Sequence, residues 1–187
     1  MKYRTANGLP GLGEAYDLWH EKNHYLLPSI PATDFPCRIP DNVIGCGPLL
    51  LPTVPVRDED PELYAWLERR PTVLINLGTH IQMDDKMARE FVKALRIVLD
   101  SRPDIQIIWK LKTSRGLAVR TGSAAFEGIA DGFRDPIAHE IKADRVRIVE
   151  WMTASPLAIL QSGHVVCSVH HGGSNSFHEA LRYVAAS

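Results

Sequence analysis

Four short apolar runs constrain this chain more than anything else in it: residues 72–77 (TVLINL), 105–111 (IQIIWKL), 146–150 (VRIVE) and 164–169 (HVVCSV). The first two are β-branched and almost unbroken by polar residues, the pattern of strands covered on both faces in a parallel sheet. Between them, residues 84–99 place Met87, Phe91, Ala94, Leu95 and Val98 at helical spacing among charged residues, which predicts an amphipathic helix. Pro103 closes that unit, so strand, helix and strand form a crossover, right-handed in nearly all known cases. Helices are predicted again over 156–161 and 175–184. Strands alternating with helices predict an α/β fold with an open, Rossmann-like parallel sheet.

Upstream of the first strand, residues 29–56 are dense in proline and glycine, which favours extended connections and marks a linker or domain edge. Asp60, Pro61 and Glu62 then read as a helix start: a capping acid, proline in the first turn and a second acid near the positive end of the dipole. A short helix is therefore expected over 61–69. Residues 112–144 keep no sustained period and are expected to be loops with a short helix near 124–130. The predicted organisation is an appendage and linker over 1–56, followed by the sheet domain over 57–187.

Charge excludes some functions. With 21 basic and 22 acidic residues among 187, the net charge is −1, and no lysine- or arginine-rich run offers the footprint that phosphate-backbone binding requires. Neither nucleic acid nor an anionic membrane is expected as a partner. Cys37, Cys46 and Cys167 are odd in number and widely spaced, which fits a reducing, intracellular, cytoplasmic setting. The first twelve residues lack the order of a signal peptide, and the most apolar stretch, 43–56, is broken by Pro48, Pro52 and Pro55. No membrane span is expected.

In open α/β sheets ligands gather at the carboxyl ends of the strands, where glycine turns lead into helix amino-termini. The segment His170-His171-Gly172-Gly173-Ser174-Asn175-Ser176-Phe177-His178-Glu179 has that form. A phosphate there would meet backbone N–H groups, a helix dipole and an imidazole. The same letters also allow a plainer reading, in which Ser176 and Glu179 form a capping box and the glycines only make the turn.

The surrounding string adds to this. RIVEW over 147–151, followed by HVVCSVHHGGSNSFHEAL over 164–181, resembles the sugar-nucleotide signature of UDP-glycosyltransferases, whose two-domain GT-B fold carries it in the C-terminal half. PTVLINLGTH over 71–80 is similar to the first strand and phosphate-side loop of that half. IPDNVIGCGPLLLP over 39–52 is similar to its lead-in. The resemblance implies a UDP-sugar as donor, a small-molecule acceptor, inverting transfer of a hexosyl group to a hydroxyl, and no metal or other cofactor. It implies that Trp151 stacks on uracil, that Glu179 accepts from the ribose hydroxyls, and that Asn175 and Ser176 hold a phosphate with their backbone N–H groups, Gly172 and Gly173 permitting the close approach. His171 would face the diphosphate, approached from the first loop by Gly78 and Thr79.

Other residues have plainer expectations. His170 ends a strand, His178 faces solvent on the last helix, and Lys110 and Lys112, which follow a strand and could reach a phosphate, are expected as the commoner solvent-exposed lysines. Asp58-Glu59-Asp60 spells a metal-binding D-x-D but reads better as a helix cap. The histidines around 164–178 lack metal-ligand spacing, and GLPGLG over 8–13 is not a dinucleotide fingerprint. The sequence also departs from the resembled pattern. Met152-Thr153-Ala154-Ser155 stands where a glutamine is usual, and no sugar-gripping acid–amide pair follows 179–181. The catalytic base belongs to the acceptor domain in that family and is assigned to no residue here. The expectation is a truncated GT-B half, with 1–56 as the remnant of the acceptor domain and its linker, that binds nucleotide without transferring sugar. The alternatives are a non-catalytic nucleotide-binding or decoy protein, or an unrelated Rossmann-like enzyme acting on another phosphorylated ligand.

Overall fold

The computed structural model describes residues 23–30, 35, 36, 38–112 and 132–184, in two units, Met1–Leu49 and Leu50–Ser187. The predicted helix near 124–130, the GLPGLG string and Cys37 lie outside the described residues. In the first unit a small pairing forms: β1 (Tyr25–Leu27) runs parallel to β2 (Val43–Gly45).

The second unit is built on the predicted strands. It opens with α1 (Val56–Glu59) and α2 (Pro61–Leu67). The Asp60 carboxylate accepts from Leu63 N at 3.0 Å, so the acid of the D-x-D string caps α2. Then come β3 (Thr72–Asn76), α3 (Asp85–Ser101), β4 (Gln106–Lys110), a 3-10 turn (Asp135–Ile137), α4 (Ala138–Lys142), β5 (Val146–Val149), α5 (Pro156–Gln161), β6 (Val165–His170) and α6 (Ser174–Tyr183). The sheet order is β5-β4-β3-β6, all parallel. Successive strands step outward from β3 to β5, and β6 then returns to the other side of β3. The strand order therefore reverses between β3 and β6.

Pleating sends alternate residues to opposite faces. Ile75, Ile107 and Trp109 pack with Ala88, Val92, Leu95 and Leu99 of α3 on one face. Leu74 and Ile108 pack with Trp66 and Leu67 of α2 and Ala158 and Ile159 of α5 on the other. Each fully buried Leu or Ile in these layers contributes roughly 1.5–3 kcal/mol relative to exposure, which fixes the face that each strand residue takes. Gln106 is polar yet buried, and it is satisfied: its Nε2 donates to Trp66 O at 2.8 Å and Thr72 Oγ1 at 2.9 Å.

Some expectations are corrected. The buried stripe of α3 is Ala88, Val92, Leu95 and Leu99, whereas Met87 and Val98 are exposed, so its inner face is turned about one residue from the predicted one. Residues 112–144 are not all loop, because 135–142 form the 3-10 turn and α4. Regular structure occurs inside the stretch predicted as linker, since β2 lies within it and α1 begins at its last residue, Val56. His178 is buried, at 6% exposure, instead of facing solvent. Its Nδ1 lies 2.8 Å from Ser174 O; a carbonyl only accepts, so Nδ1 carries the proton. Among the described residues no helix is long and apolar enough to cross a membrane.

Candidate functional site at the switch point

Ligands of doubly wound sheets bind where the strand order reverses, outside the carboxyl ends. Here β3 ends at Asn76 and β6 at His170, and these two residues are register partners. Asn76 is also paired with Lys110, the last residue of β4. Above this row lies a cavity of about 530 Å³ lined by Asn76, Gly78, Thr79, His80, Lys110, Pro156, His171, Gly173, Ser174, Asn175 and Ser176.

The loop after β3 is shaped by Asn76, whose Oδ1 accepts from Gly78 N at 3.2 Å. Gly78 has φ +81°, a left-handed conformation that favours glycine. A Cβ there would come 2.9 Å from His171 Cε1, and a Cβ at Gly173 would collide with His171 Nε2. The His171 imidazole is therefore seated between two glycines, one from each loop. Gly172, with φ +78°, makes the turn from β6 into α6, and its N–H donates to His170 Nδ1 at 3.1 Å.

No side chain caps α6. Gly173 is its N-cap, and the first helical bond runs from Phe177 N to Gly173 O at 2.9 Å. The capping-box reading of Ser176 and Glu179 is thereby overturned, since both lie inside the helix. The backbone N–H groups of Asn175 and Ser176 belong to the first turn, which has no intrahelical acceptor for them. They stand at the positive end of the helix dipole, facing the cavity.

Of the residues singled out from sequence, the structure brings Gly78, Thr79, His171, Gly173, Asn175 and Ser176 to one cavity. Trp151, Gly172 and Glu179 do not line it. Trp151 is 72% exposed and reaches the cavity wall through Lys110, whose Nζ lies 4.2 Å from the ring centroid. Glu179 is part-buried three residues beyond Ser176, on the same face of α6. Burial raises the Glu179 carboxyl above its ordinary value. Burial, then the neighbouring His171, lowers the His170 imidazole.

Sequence reasoning missed the parts played by Asn76, Ser174 and Pro156, and it left Lys110 to solvent. Asn76 and Lys110 each end an apolar strand with a polar residue, and that was the available signal. Lys110 is part-buried, and burial, then Lys112, pushes its ammonium below the ordinary value. Among the described residues no three His, Cys, Asp or Glu side chains group as a metal would need.

Comparison with known proteins decides the family. Glycosyltransferase sdnJ of Sordaria araneosa is 45% identical over 156 residues, which is 83% of this chain and 29% of that protein. This is a UDP-glycosyltransferase-like chain. UDP-glycosyltransferase stmC of Aspergillus ustus is 26% identical over 159 residues, again 83% of this chain and 29% of the relative. The UDP-glycosyltransferase-like chain thus spans under a third of the length of both relatives. The apo structure of Phytolacca americana UGT2 matches with a TM-score of 0.50 at 19% identity, covering 76% of this chain and 30% of that one. That likeness shows the fold: a mixed α/β unit with a parallel sheet, shared with part of a GT-B glycosyltransferase. No protein-family model matches the chain.

Proposed function

We propose that the switch-point cavity holds the UDP part of a UDP-sugar, and that this chain serves a UDP-glycosyltransferase as its nucleotide-binding half. The whole enzyme would transfer a hexosyl group to the hydroxyl of a small-molecule acceptor with inversion. The observation that carries the reading is the seating of His171 between Gly78 and Gly173, beside the uncapped amino-terminus of α6. An imidazole donor, backbone N–H groups and a helix dipole converge there, which is what a departing diphosphate requires. Asn175 and Ser176 take one phosphate, and the Gly78 and Thr79 backbone approaches from the other side. Glu179, one helical turn below Ser176, is assigned to the ribose, and Trp151 to the uracil ring, a flat face suited to stacking. An intracellular, cytoplasmic setting goes with this reading, supported by the free thiols of Cys46 and Cys167.

Dipoles and donors fixed in the fold can meet a diphosphate without a cation, so the proposal includes metal independence. Titration calorimetry with UDP, UMP, ATP and NAD, with and without chelator, tests it. UDP should bind best, and chelator should leave its affinity unchanged. His171→Ala should weaken UDP about ten- to a hundredfold, the loss of one hydrogen bond to a charged oxygen. Preference for ATP or NAD, or loss of binding in chelator, contradicts the proposal.

A further inference from the structure

Two lysines leave β4 toward the cavity, and one is already committed. Lys112 Nζ donates to the carbonyl oxygen of Thr79 at 2.5 Å, and Lys112 O accepts from Met83 N at 2.9 Å, so Lys112 ties the end of β4 to the loop after β3. Lys110 has no such partner among the described residues. It lines the cavity, it stands in the row Lys110, Asn76, His170 along the carboxyl edge of three strands, and it forms no ion pair among the described residues.

What Lys110 does have is the Trp151 ring, 4.2 Å from its Nζ. The comparison with Arg147 is instructive. Arg147 also lies over an indole, that of Trp66 at 4.9 Å, yet it is ion-paired with both Asp144 and Glu62. An ammonium against an aromatic face is oriented by the ring quadrupole, but its charge is not neutralised. None of the side chains lining the cavity beside Lys110 is a carboxylate: they are Asn, Thr, His, Pro and Ser, with backbone N–H groups at α6. A part-buried cation facing only neutral polar groups, with no anion, is electrostatically incomplete until an anion arrives. The row places it two strand spacings, about 10 Å, from the β6 end where α6 begins. An extended anion can therefore touch both ends of the cavity.

Resting on the reading of the cavity as a UDP site, we infer that Lys110 is a recognition residue for the diphosphate, held by the Trp151 ring and supplying the side-chain charge opposite α6. Its role differs from that of His171, since it acts by charge and should respond to ligand charge and to salt. Trp151 then has two tasks, a face for the base and a hold on the lysine.

The test uses the full chain and three ligands that differ in charge: UDP, UMP and uridine, titrated at low and high salt. Against the parent, Lys110→Met should lose about ten- to a hundredfold in UDP affinity, with uridine unchanged and a shallower dependence on salt. Lys110→Arg should keep most of the UDP affinity, because it keeps the charge. Melting curves of both variants show that folding is intact, and Lys110→Arg carries the comparison of UDP with uridine if the methionine variant fails to fold. Equal UDP affinity in parent and Lys110→Met overturns the inference while leaving the UDP site standing. Equal loss of uridine and UDP overturns it too, since Lys110 would then act only by placing Trp151. A parent chain that binds no UDP overturns both.

Discussion

At the scale of single residues, the placement of His171 rests on two missing Cβ atoms. Gly78 needs its glycine for backbone reasons as well, whereas Gly173 has φ −63°, which any residue adopts. Gly173→Ala therefore isolates the steric role: it should displace the imidazole while costing about 1 kcal/mol of stability at the helix cap. UDP affinity, measured by calorimetry, should fall as in His171→Ala, about ten- to a hundredfold. Unchanged affinity in the folded variant would show that the ring's seat does not matter.

Glu179 gives a pH test at the same scale. Burial raises its folded carboxyl above the unfolded value, so the folded state holds the proton more tightly. Stability is then greatest below the unfolded value and falls as pH rises through the folded one. Glu179→Gln should accordingly melt higher than the parent at neutral pH, in the absence of nucleotide, and the gap should close in acid, below the ordinary carboxyl range. A variant less stable than the parent at neutral pH would mean that Glu179 is held by a contact, not penalised by burial. In a binding protein the penalty has a use, because a ribose would supply hydrogen bonds to the part-buried carboxylate.

At the scale of elements, the sheet shows what a sequence reveals and what it hides. TVLIN and QIIWK are legible because unbroken β-branched and aromatic runs have few alternatives to a doubly covered strand. Helix α4 was not legible, since five residues are too few to display a period. What holds α4 is tertiary: Arg96 of α3 meets Glu140 at 2.7 Å, and the Glu140 side chain is only 7% exposed. Burial pushes that carboxyl up, but the paired Arg96 guanidinium and Glu140's own backbone outweigh it, and the net shift is downward. Arg96→Met should strand the carboxylate and cost about 2–3 kcal/mol, toward the lower end for a buried pair because Arg96 is itself partly exposed. Thermal melting should show the loss, and Arg96→Met with Glu140→Leu should recover part of it. No recovery in the double variant would contradict the pairing.

The inner face of α3 was misjudged for a related reason. Met87, Phe91, Ile97 and Val98 make the helix apolar over a wide arc, and only the tertiary contacts select Ala88, Val92, Leu95 and Leu99. His178 was assigned to solvent from residue type, yet the Ser174 carbonyl one turn back satisfies its Nδ1–H and lets the ring enter the interior.

At the scale of the whole molecule, the candidate site was legible as residues but not as a place. The HHGGSNS turn and the loop after β3 are visible in the string, while their meeting depends on β6 lying beside β3, an order that one sequence does not disclose. Lys110 could be weighed as a phosphate contact but not chosen over solvent for the same reason, since its closeness to the cavity follows from β4 flanking β3 on the other side. A second cavity, of about 420 Å³, lies between α1 and α5 and is lined by Arg57, Tyr64 and Gln161. It is a competing place for UDP within the same unit. A crystal structure of the chain with UDP decides between them. The diphosphate should lie between the Gly78–Thr79 backbone and the Asn175 and Ser176 N–H groups, in contact with His171. UDP bound at the Arg57 cavity, or absent from the switch point at saturating concentration, would contradict it.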